Sequence, residues 1–165
     1  MFYEEVFKAF ELKGVRYLLV GGLAVNLYGC IRFTVDMDIM VDLSEGNLNK
    51  VIEVMNELDY HPRVPVASAE LAEEKKRQEW LEKKGAKVFT FIHRQKPFRQ
   101  VDLFLSNPID FDEAFTRKRT IDLEEGGTVD LISLDDLIVL KNISGRPRDL
   151  EDIKHLTRIK GLKKI

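Results

Sequence analysis

Apolar residues along the chain follow two spacings, one typical of helices and one typical of strands. Residues 2–12 carry apolar side chains at helical spacing, and Gly14 ends that pattern. The stretch VRYLLVGG at 15–22 predicts a buried strand that two glycines interrupt, and LAVNLYG at 23–29 predicts a short helix. TVDMDIMVD at 34–42 alternates apolar and acidic positions, so we predict a second strand there.

The middle of the chain predicts one amphipathic helix and one highly charged segment. Ser44 is a suitable N-cap for a helix that runs to about residue 58. Two prolines in residues 59–66 predict a loop or an edge strand. Residues 68–84 are mostly charged, and we predict that they form an exposed helix or lid capped by Ser68.

The second half of the chain begins with strand-like runs. AKVFTFIH at 86–93 and RQVDLFLS at 99–106 are separated by five residues, which predicts an antiparallel hairpin. A short helix is expected near 110–116, and one or two strands within 119–133.

Two helices are predicted after these strands, at 133–144 and about 149–159, with the Gly and Pro of SGRPRD between them. The order of helices and strands predicts an α/β (or α+β) fold with a mixed β-sheet flanked by helices. We predict a single domain, with the sheet region in residues 1 to about 130 and a C-terminal helical part from about 131 to 165.

Composition narrows the classes of function. A formal charge of −2 over 165 residues gives no bulk attraction to nucleic acid or anionic lipid, although a local patch would provide one. Cys30 is the single cysteine, so neither an internal disulfide nor a zinc–cysteine site is expected. No apolar run approaches the roughly 18 residues of a membrane span, and the N-terminus does not resemble a signal peptide. We therefore expect a cytoplasmic protein with no membrane partner.

The second predicted strand carries acidic residues where an inner strand is usually apolar. Because side chains alternate between the faces of a strand, Asp36 and Asp38 point the same way, with Cα atoms about 6.6 Å apart. Neighbouring carboxylates repel each other, and a divalent cation between them allows both to stay ionised. Oxygen ligands at this spacing favour Mg²⁺ or Mn²⁺ over zinc.

Two further motifs accompany this pair. Asp102 interrupts the apolar run of RQVDLFL, and if its strand lies beside the first, it completes a three-carboxylate cluster for two metal ions. Gly21 and Gly22 separate a predicted strand from a helix, an arrangement that brings backbone amides close to a phosphate. The glycine pair matches neither GxGxxG nor a P-loop, and such turns also have purely structural uses.

Together these motifs resemble the nucleotidyltransferase superfamily related to DNA polymerase β. There a hydrophobic strand leads to Gly-Gly or Gly-Ser, then to Asp-hydrophobic-Asp, and later to a third acid. The stretch GCIRFTVDMDI is similar to the small bacterial branch that includes lincosamide and aminoglycoside nucleotidyltransferases and AbiEii-type toxins. Residues 134–156 resemble the C-terminal signature of that branch, whereas residues 60–98 are not accounted for by the resemblance.

The resemblance implies the nucleotidyltransferase fold and a metal-dependent enzyme that moves a nucleoside monophosphate from an NTP to an acceptor hydroxyl with release of pyrophosphate. It implies two Mg²⁺ (or Mn²⁺) ions held by Asp36, Asp38 and Asp102, and catalytic roles for these three residues. Asp102 would hold the catalytic metal and could help to deprotonate the acceptor. The nucleotide-binding residues that it implies are Gly21, Gly22, Arg32, Thr34 and Lys141, the last as a point charge beside the triphosphate.

Each site residue has a structural alternative. Asp36 and Asp38 would be ordinary surface acids if their strand were a solvent-facing edge. Asp102 would be a structural acid if it paired with Arg99 or Arg32, and Lys141 on a helix face would by default be a surface lysine. A further set of charged residues in the C-terminal signature is expected to form structural ion pairs, Arg146 and Arg148 with Asp149 and Asp152.

The acceptor and the partners stay open at this point. The resembling enzymes modify small molecules, proteins or RNA ends, and a toxin-like enzyme of a toxin–antitoxin pair would act on tRNA or protein. The basic clusters Arg117–Arg119 and Lys160–Lys164 would then contact RNA. The remaining alternative is a catalytically silent module that binds nucleotide or pairs with a cognate partner protein.

Overall fold

The helices and strands follow the chain order that the apolar pattern predicts. The structure is a computed structural model that describes residues 2–163. Within these residues the helices are Glu4–Lys13 (α1), Gly21–Leu27 (α2), Glu45–Glu57 (α3), Glu74–Lys84 (α4), Phe111–Thr116 (α5), Leu134–Ser144 (α6) and Pro147–Leu162 (α7). The strands are Tyr17–Val20 (β1), Met37–Val41 (β2), Tyr60–Pro62 (β3), Val88–His93 (β4), Gln100–Phe104 (β5), Arg119–Asp122 (β6) and Thr128–Leu131 (β7).

The strands form one mixed sheet in the order β3-β4-β5-β2-β1-β7-β6. β2 lies in its interior, antiparallel to β1 and parallel to β5. β4 and β5 form the predicted antiparallel hairpin, and β3 lies at the sheet edge, where prolines are tolerated. This topology confirms the predicted mixed sheet flanked by helices.

Local sequence signals explain where several helices begin and end. Gly14 ends α1 in a left-handed conformation with φ of +65°, as the sequence predicts. The Ser44 side chain accepts a hydrogen bond from the backbone N–H of Asn47, so the predicted N-cap of α3 is confirmed. Ser133 caps α6 in the same way.

Two predicted elements differ from the structure. Residues 34–36 precede β2 rather than belonging to it. Ser68 was predicted to cap a helix, but it is the first residue of a 3₁₀ turn. Ala67 occupies the capping position, and its backbone N–H donates a hydrogen bond to the Glu70 carboxylate. The charged segment does form a helix, α4. The buried side chain of Arg77 holds this helix in place by donating hydrogen bonds to the backbone carbonyls of Leu71 and Leu43.

Alternation of burial along β2, β4 and β5 shows where the core lies. On one face of these strands every side chain except the half-buried His93 is buried, whereas the alternate residues of β4 and β5 are half-buried or exposed. The fully covered face carries Met37, Ile39, Phe89, Phe91, Val101 and Leu103. No helix among residues 2–163 is long and apolar enough to cross a membrane.

Candidate active site

The sheet brings two of the three predicted catalytic aspartates side by side. Asp38 in β2 and Asp102 in β5 are register partners in adjacent parallel strands, so their side chains project from the same face of the sheet. Asp36 precedes Asp38 by two residues, just before β2 begins. The sequence left open whether the strand of Asp102 lies beside the first acidic strand, and the register shows that it does.

The three carboxylates are close enough to influence one another's charge. Burial raises the pKa of Asp38 to about 7, and the negative charges of Asp102 and Asp36 add to the increase. The positive charge of Lys141 and a hydrogen bond from the backbone N–H of Gly22 oppose it. Ionising Asp38 without a cation beside the cluster is therefore costly at neutral pH.

Asp102 has a hydroxyl partner. Burial raises the pKa of Asp102 and the charge of Asp36 raises it further, whereas the Thr90 hydroxyl and the charge of Arg63 oppose the change. The hydroxyl of Thr90 donates to Asp102 Oδ1 at 2.5 Å. Asp102 therefore keeps one carboxylate oxygen that is not engaged by this bond.

The structural alternatives for the aspartates are wrong. β2 has a neighbouring strand on both sides, so Asp38 and the preceding Asp36 are not part of an edge strand. Among residues 2–163 Asp102 forms no ion pair with an arginine, and Arg99 pairs with Glu5 and Arg32 with Asp152.

The glycine turn lies directly against this carboxylate cluster. Gly21 adopts a φ of +67°, and a Cβ at this position would stand 2.0 Å from Asp38 Oδ2. A Cβ on Gly22 would stand 2.7 Å from both Arg32 Nη2 and Thr34 Oγ1. Only glycine fits either position, so the turn, Asp38, Arg32 and Thr34 meet at one place.

The backbone and side chain of Arg32 are both fixed by neighbours. The Asn26 side chain accepts the N–H of Arg32 at 3.1 Å and donates to the carbonyl of Arg32 at 2.9 Å. The guanidinium Nε lies 3.4 Å from Asp152 Oδ1. Sequence reasoning missed Asn26, although a single polar residue in the apolar stretch LAVNLYG was the available signal.

Lys141 was predicted to contact the triphosphate, but its ammonium group is buried and already paired with two carboxylates. Its side chain is 6% exposed, and Nζ lies 3.1 Å from Asp149 Oδ1 and 2.9 Å from Asp152 Oδ2. Lys141 is therefore not a surface lysine, and its ion pairs join α6 to α7. Its charge still reaches Asp38.

The two arginines of the C-terminal signature have different partners. Arg146 Nε lies 2.9 Å from Asp149 Oδ2, which confirms its predicted structural pairing. Arg148 was predicted to pair with an acid, but its Nη2 donates to the backbone carbonyl of Phe33 at 2.9 Å. The reason is that Asp149 and Asp152 are already engaged by Lys141 and their other partners.

Three residues of the basic clusters that were predicted to contact RNA are paired with acids. Arg117 pairs with Asp136 at 2.9 Å, and Lys118 pairs with Asp130 at 2.7 Å. Lys160 pairs with Asp135 at 2.7 Å. Lys164, the last residue of the second cluster, lies outside the described residues.

The donor chemistry of the cluster fits a hard divalent cation. The charge of Asp36 helps to raise the pKa values of Asp38 and Asp102, and a cation would offset this repulsion. Across residues 2–163, however, no three His, Cys, Asp or Glu side chains are arranged so that they could hold one metal ion together. The cluster therefore fits such a cation in the type and charge of its donor atoms, and not in their arrangement.

A cleft of about 550 Å³ opens between the loop that holds Arg32, whose guanidinium faces Gly22, and helix α7. Arg32 and Asp152 form part of its wall together with Arg148 and Arg158. This cleft gives the glycine side of the site a surplus of positive charge.

Comparisons with known proteins agree with the geometry. A family model described as "Nucleotidyltransferase of unknown function (DUF6036)" matches residues 4–162. None of the curated proteins compared with the chain matches its sequence significantly.

Two crystal structures share the fold. Lincomycin-bound LnuA, a lincosamide antibiotic adenylyltransferase, is 22% identical with a TM-score of 0.55, over 94% of this chain and 96% of that chain. ANT(2″)-Ia in complex with adenylyl-2″-tobramycin is 12% identical with a TM-score of 0.58, over 97% of this chain and 88% of that chain. At identities this low, the structural likeness shows a shared fold and nothing about substrate.

Proposed function

Because the chain belongs to the nucleotidyltransferase family whose model covers residues 4–162, we propose that it transfers a nucleoside monophosphate from an NTP to an acceptor hydroxyl. The observation that carries this proposal is the pairing of Asp38 with Asp102 beside the Gly21 turn. The turn lets the Asp38 carboxylate lie against the backbone, and the clustered carboxylates supply negative charge for the counterions of a phosphate.

The reaction is an in-line displacement at the α-phosphorus. The acceptor oxygen forms a bond to the α-phosphorus, and the bond from that phosphorus to the oxygen bridging to the β-phosphate breaks, releasing pyrophosphate. The hydroxyl proton passes to the carboxylate of Asp102. Its raised pKa suits this role, because a base whose pKa lies nearer to neutrality retains the proton better.

Asp36, Asp38 and Asp102 are the residues that would hold Mg²⁺ or Mn²⁺ ions. The ions would supply the positive charge that offsets the phosphates and the crowded carboxylates. The chain's own contribution is to present oxygen ligands from two adjacent strands on one face.

The nucleotide occupies the glycine side of the cluster in this proposal. Gly21 and Gly22 border the phosphates in this proposal, since they let Asp38 on one side and Arg32 and Thr34 on the other approach the backbone. Arg32 is the cation that contacts phosphate, because its guanidinium faces the turn and also lines the cleft. Lys141 acts at a distance, through its charge at Asp38 and its hold on α7.

The proposal is tested by incubating the protein with α-labelled NTPs, Mg²⁺ and a cell extract. Wild type is expected to label an acceptor and release pyrophosphate. Asp38→Asn should lower the rate at least a hundredfold while leaving the far-ultraviolet circular dichroism spectrum unchanged. Asp122→Asn is the matched control, since Asp122 is an exposed strand residue in β6 at the opposite side of the sheet.

Two outcomes of this test remove parts of the proposal. Full activity of Asp38→Asn removes the site assignment. Tight NTP binding in calorimetry with no pyrophosphate release, in the presence of extract, replaces the enzyme with a nucleotide-binding module. Label in tRNA or in a protein would instead identify the toxin-like version of the reaction.

A further inference from the structure

The row of polar side chains that contains Asp38 and Asp102 continues to the edge of the sheet. Thr90 in β4 is the register partner of Asp102. The backbone N–H of Arg63, directly after β3, donates to the carbonyl of Thr90 at 2.9 Å, which extends the pairing of Pro62 with Phe91 by one residue. At about 4.8 Å between strands, Arg63 lies two strands and about 10 Å from Asp102.

This row crosses a face of the β3–β5 region that the rest of the chain leaves partly open. Thr90, Ile92 and Phe104 are half-buried, and Val88 is 37% exposed. All four project from the same face as Asp102, since they occupy alternate positions of β4 and β5. We call the surface formed by Arg63, Val88, Thr90, Ile92 and Phe104 the hairpin face.

The order of the strands assigns the hairpin face to one side of the reaction. In an in-line displacement the attacking and leaving oxygens stand on opposite sides of the phosphorus. The glycine turn and Arg32 lie on the β1 side of Asp38, whereas Asp102 and the hairpin face lie on the β5 side. With the leaving pyrophosphate on the glycine side, the acceptor approaches over the hairpin face.

The charge of the hairpin face comes from Arg63, whose side chain is exposed. Over residues 2–163 no carboxylate lies within ion-pair distance of Arg63, while the neighbouring arginines are engaged, Arg94 with Asp59 and Arg99 with Glu5. The effect of Arg63 on the pKa of Asp102 shows that its charge reaches the row. An anionic group next to the reacting hydroxyl would meet this unpaired cation.

The size and surroundings of the hairpin face favour a small molecule over a nucleic acid. Three strands span about 10 Å between their outer axes, the width of a small ring system. In the predicted RNA-contacting clusters Arg117, Lys118 and Lys160 are paired with acids, and Arg119 and Lys163 both lie over the ring of Tyr28, so the charge available to a polyanion is reduced.

We propose that the hairpin face binds a small-molecule acceptor with an apolar body and an anionic group, a carboxylate or a phosphate, which Arg63 recognises. The apolar body rests on Val88, Ile92 and Phe104, and the hydroxyl reaches Asp102. This inference rests on the proposed function, because it names the acceptor class for the same site. It also gives residues 60–98 a role, since they supply most of the hairpin face.

The experiment separates a cell extract below 3 kDa into fractions retained and not retained by an anion exchanger. Each is incubated with the full chain, Mg²⁺ and α-labelled NTPs. Label is expected in a product from the retained fraction, reduced at least tenfold by Arg63→Gln and partly restored by Arg63→Lys. Arg94→Gln, an exposed arginine at the end of β4, is the matched control and should change labelling less than twofold.

The outcomes distinguish the inference from the function that it rests on. Unchanged NTP affinity of Arg63→Gln in calorimetry, with lost labelling, supports an acceptor role. Label only in products from the unretained fraction, label only above 3 kDa, or full activity of Arg63→Gln overturns the inference and leaves the transfer reaction intact. No label and no pyrophosphate with any fraction removes the proposed function, and the inference falls with it.

Discussion

Asp38 is the residue at which burial, charge and backbone geometry meet. It is half-buried in the middle of the sheet, has Asp102 as its register partner, and leaves no room for a side chain at Gly21. Such a carboxylate lowers the stability of the protein when no cation offsets its charge. An active site commonly carries this kind of local cost, since the charge is needed when substrate and ions are present.

The first expectation concerns the pH dependence of stability in the absence of metal. Asp38 has an ordinary pKa of about 3.9 when unfolded, and the fold raises it to about 7. Between these values the folded state binds more protons than the unfolded state, so Asp38 makes stability fall as pH rises. Asp38→Asn should therefore stabilise the protein at pH 8 by on the order of 1–2 kcal/mol and change little at pH 4.

Urea unfolding in EDTA at several pH values checks this expectation, with Asp122→Asn as the control. Equal stabilities of wild type and Asp38→Asn across the whole range would show that the raised pKa of Asp38 is absent.

A second expectation at the residue scale concerns the glycine turn. Gly21→Ala meets both a φ of +67° and a contact of 2.0 Å with Asp38 Oδ2, so it should destabilise the protein by about 2 kcal/mol or more and abolish NTP binding. Gly46→Ala, in helix α3 with no atom within 4 Å of the new Cβ, should instead stabilise by about 0.4–1 kcal/mol. Thermal unfolding and calorimetry measure both effects; a Gly21→Ala protein that binds NTP normally contradicts the assignment.

The residues of the cluster differ in how far sequence could identify them. Alternation in the second strand was enough to place Asp36 and Asp38 near each other, and the spacing to Gly21 and Gly22 matched a known motif. Thr90 and Arg63 gave no signal, because a hydroxyl or an arginine in a strand-like run is common. Their contacts with the row depend on strand register, which the sequence does not state.

At the scale of elements, α6 and α7 are joined by a buried ion-pair network. Burial alone would raise the pKa of Asp149, but hydrogen bonds from Arg146, Ser144 and Lys141 hold it well below its usual range. Asp152 connects the same network to Arg32 at the glycine turn. The two helices therefore support the site as a unit.

Lys141→Met tests the strength of this network. Removing the cation leaves Asp149 and Asp152 buried with one partner fewer, so we expect a loss of about 3–5 kcal/mol in unfolding free energy. Lys160→Met breaks an exposed pair with Asp135 that also links α7 to α6, and should cost at most about 1 kcal/mol. Equal losses in urea unfolding would contradict the structural role of Lys141.

Sequence predicted most elements here but not their contacts. The helical spacing in α6 and α7 and the break at Gly145–Pro147 were visible, because period and turn chemistry are local. Lys141 was assigned to the triphosphate because nothing local indicates that two acids of the next helix will surround it. Only the packing of α6 against α7 decides this.

At the scale of the whole molecule, the parallel pairing of β2 with β5 creates the site. More than 50 residues, including α3, α4 and the β4 strand of the hairpin, lie between these strands in sequence. The chain order predicted a mixed sheet, but which strands become neighbours follows from how the intervening helices pack. The convergence of Asp102 on Asp38 is therefore a property of the fold.

The most direct test of this account is Mn²⁺ binding measured by electron paramagnetic resonance, in which bound ions lose the sharp signal of free Mn²⁺. With NTP present, the wild-type protein and Asp122→Asn are expected to bind two ions per chain above what free NTP takes up. Asp38→Asn and Asp102→Asn should each bind fewer while keeping their fold. Undiminished Mn²⁺ binding in both variants would contradict the claim that carboxylates from two strands form one cation-dependent site.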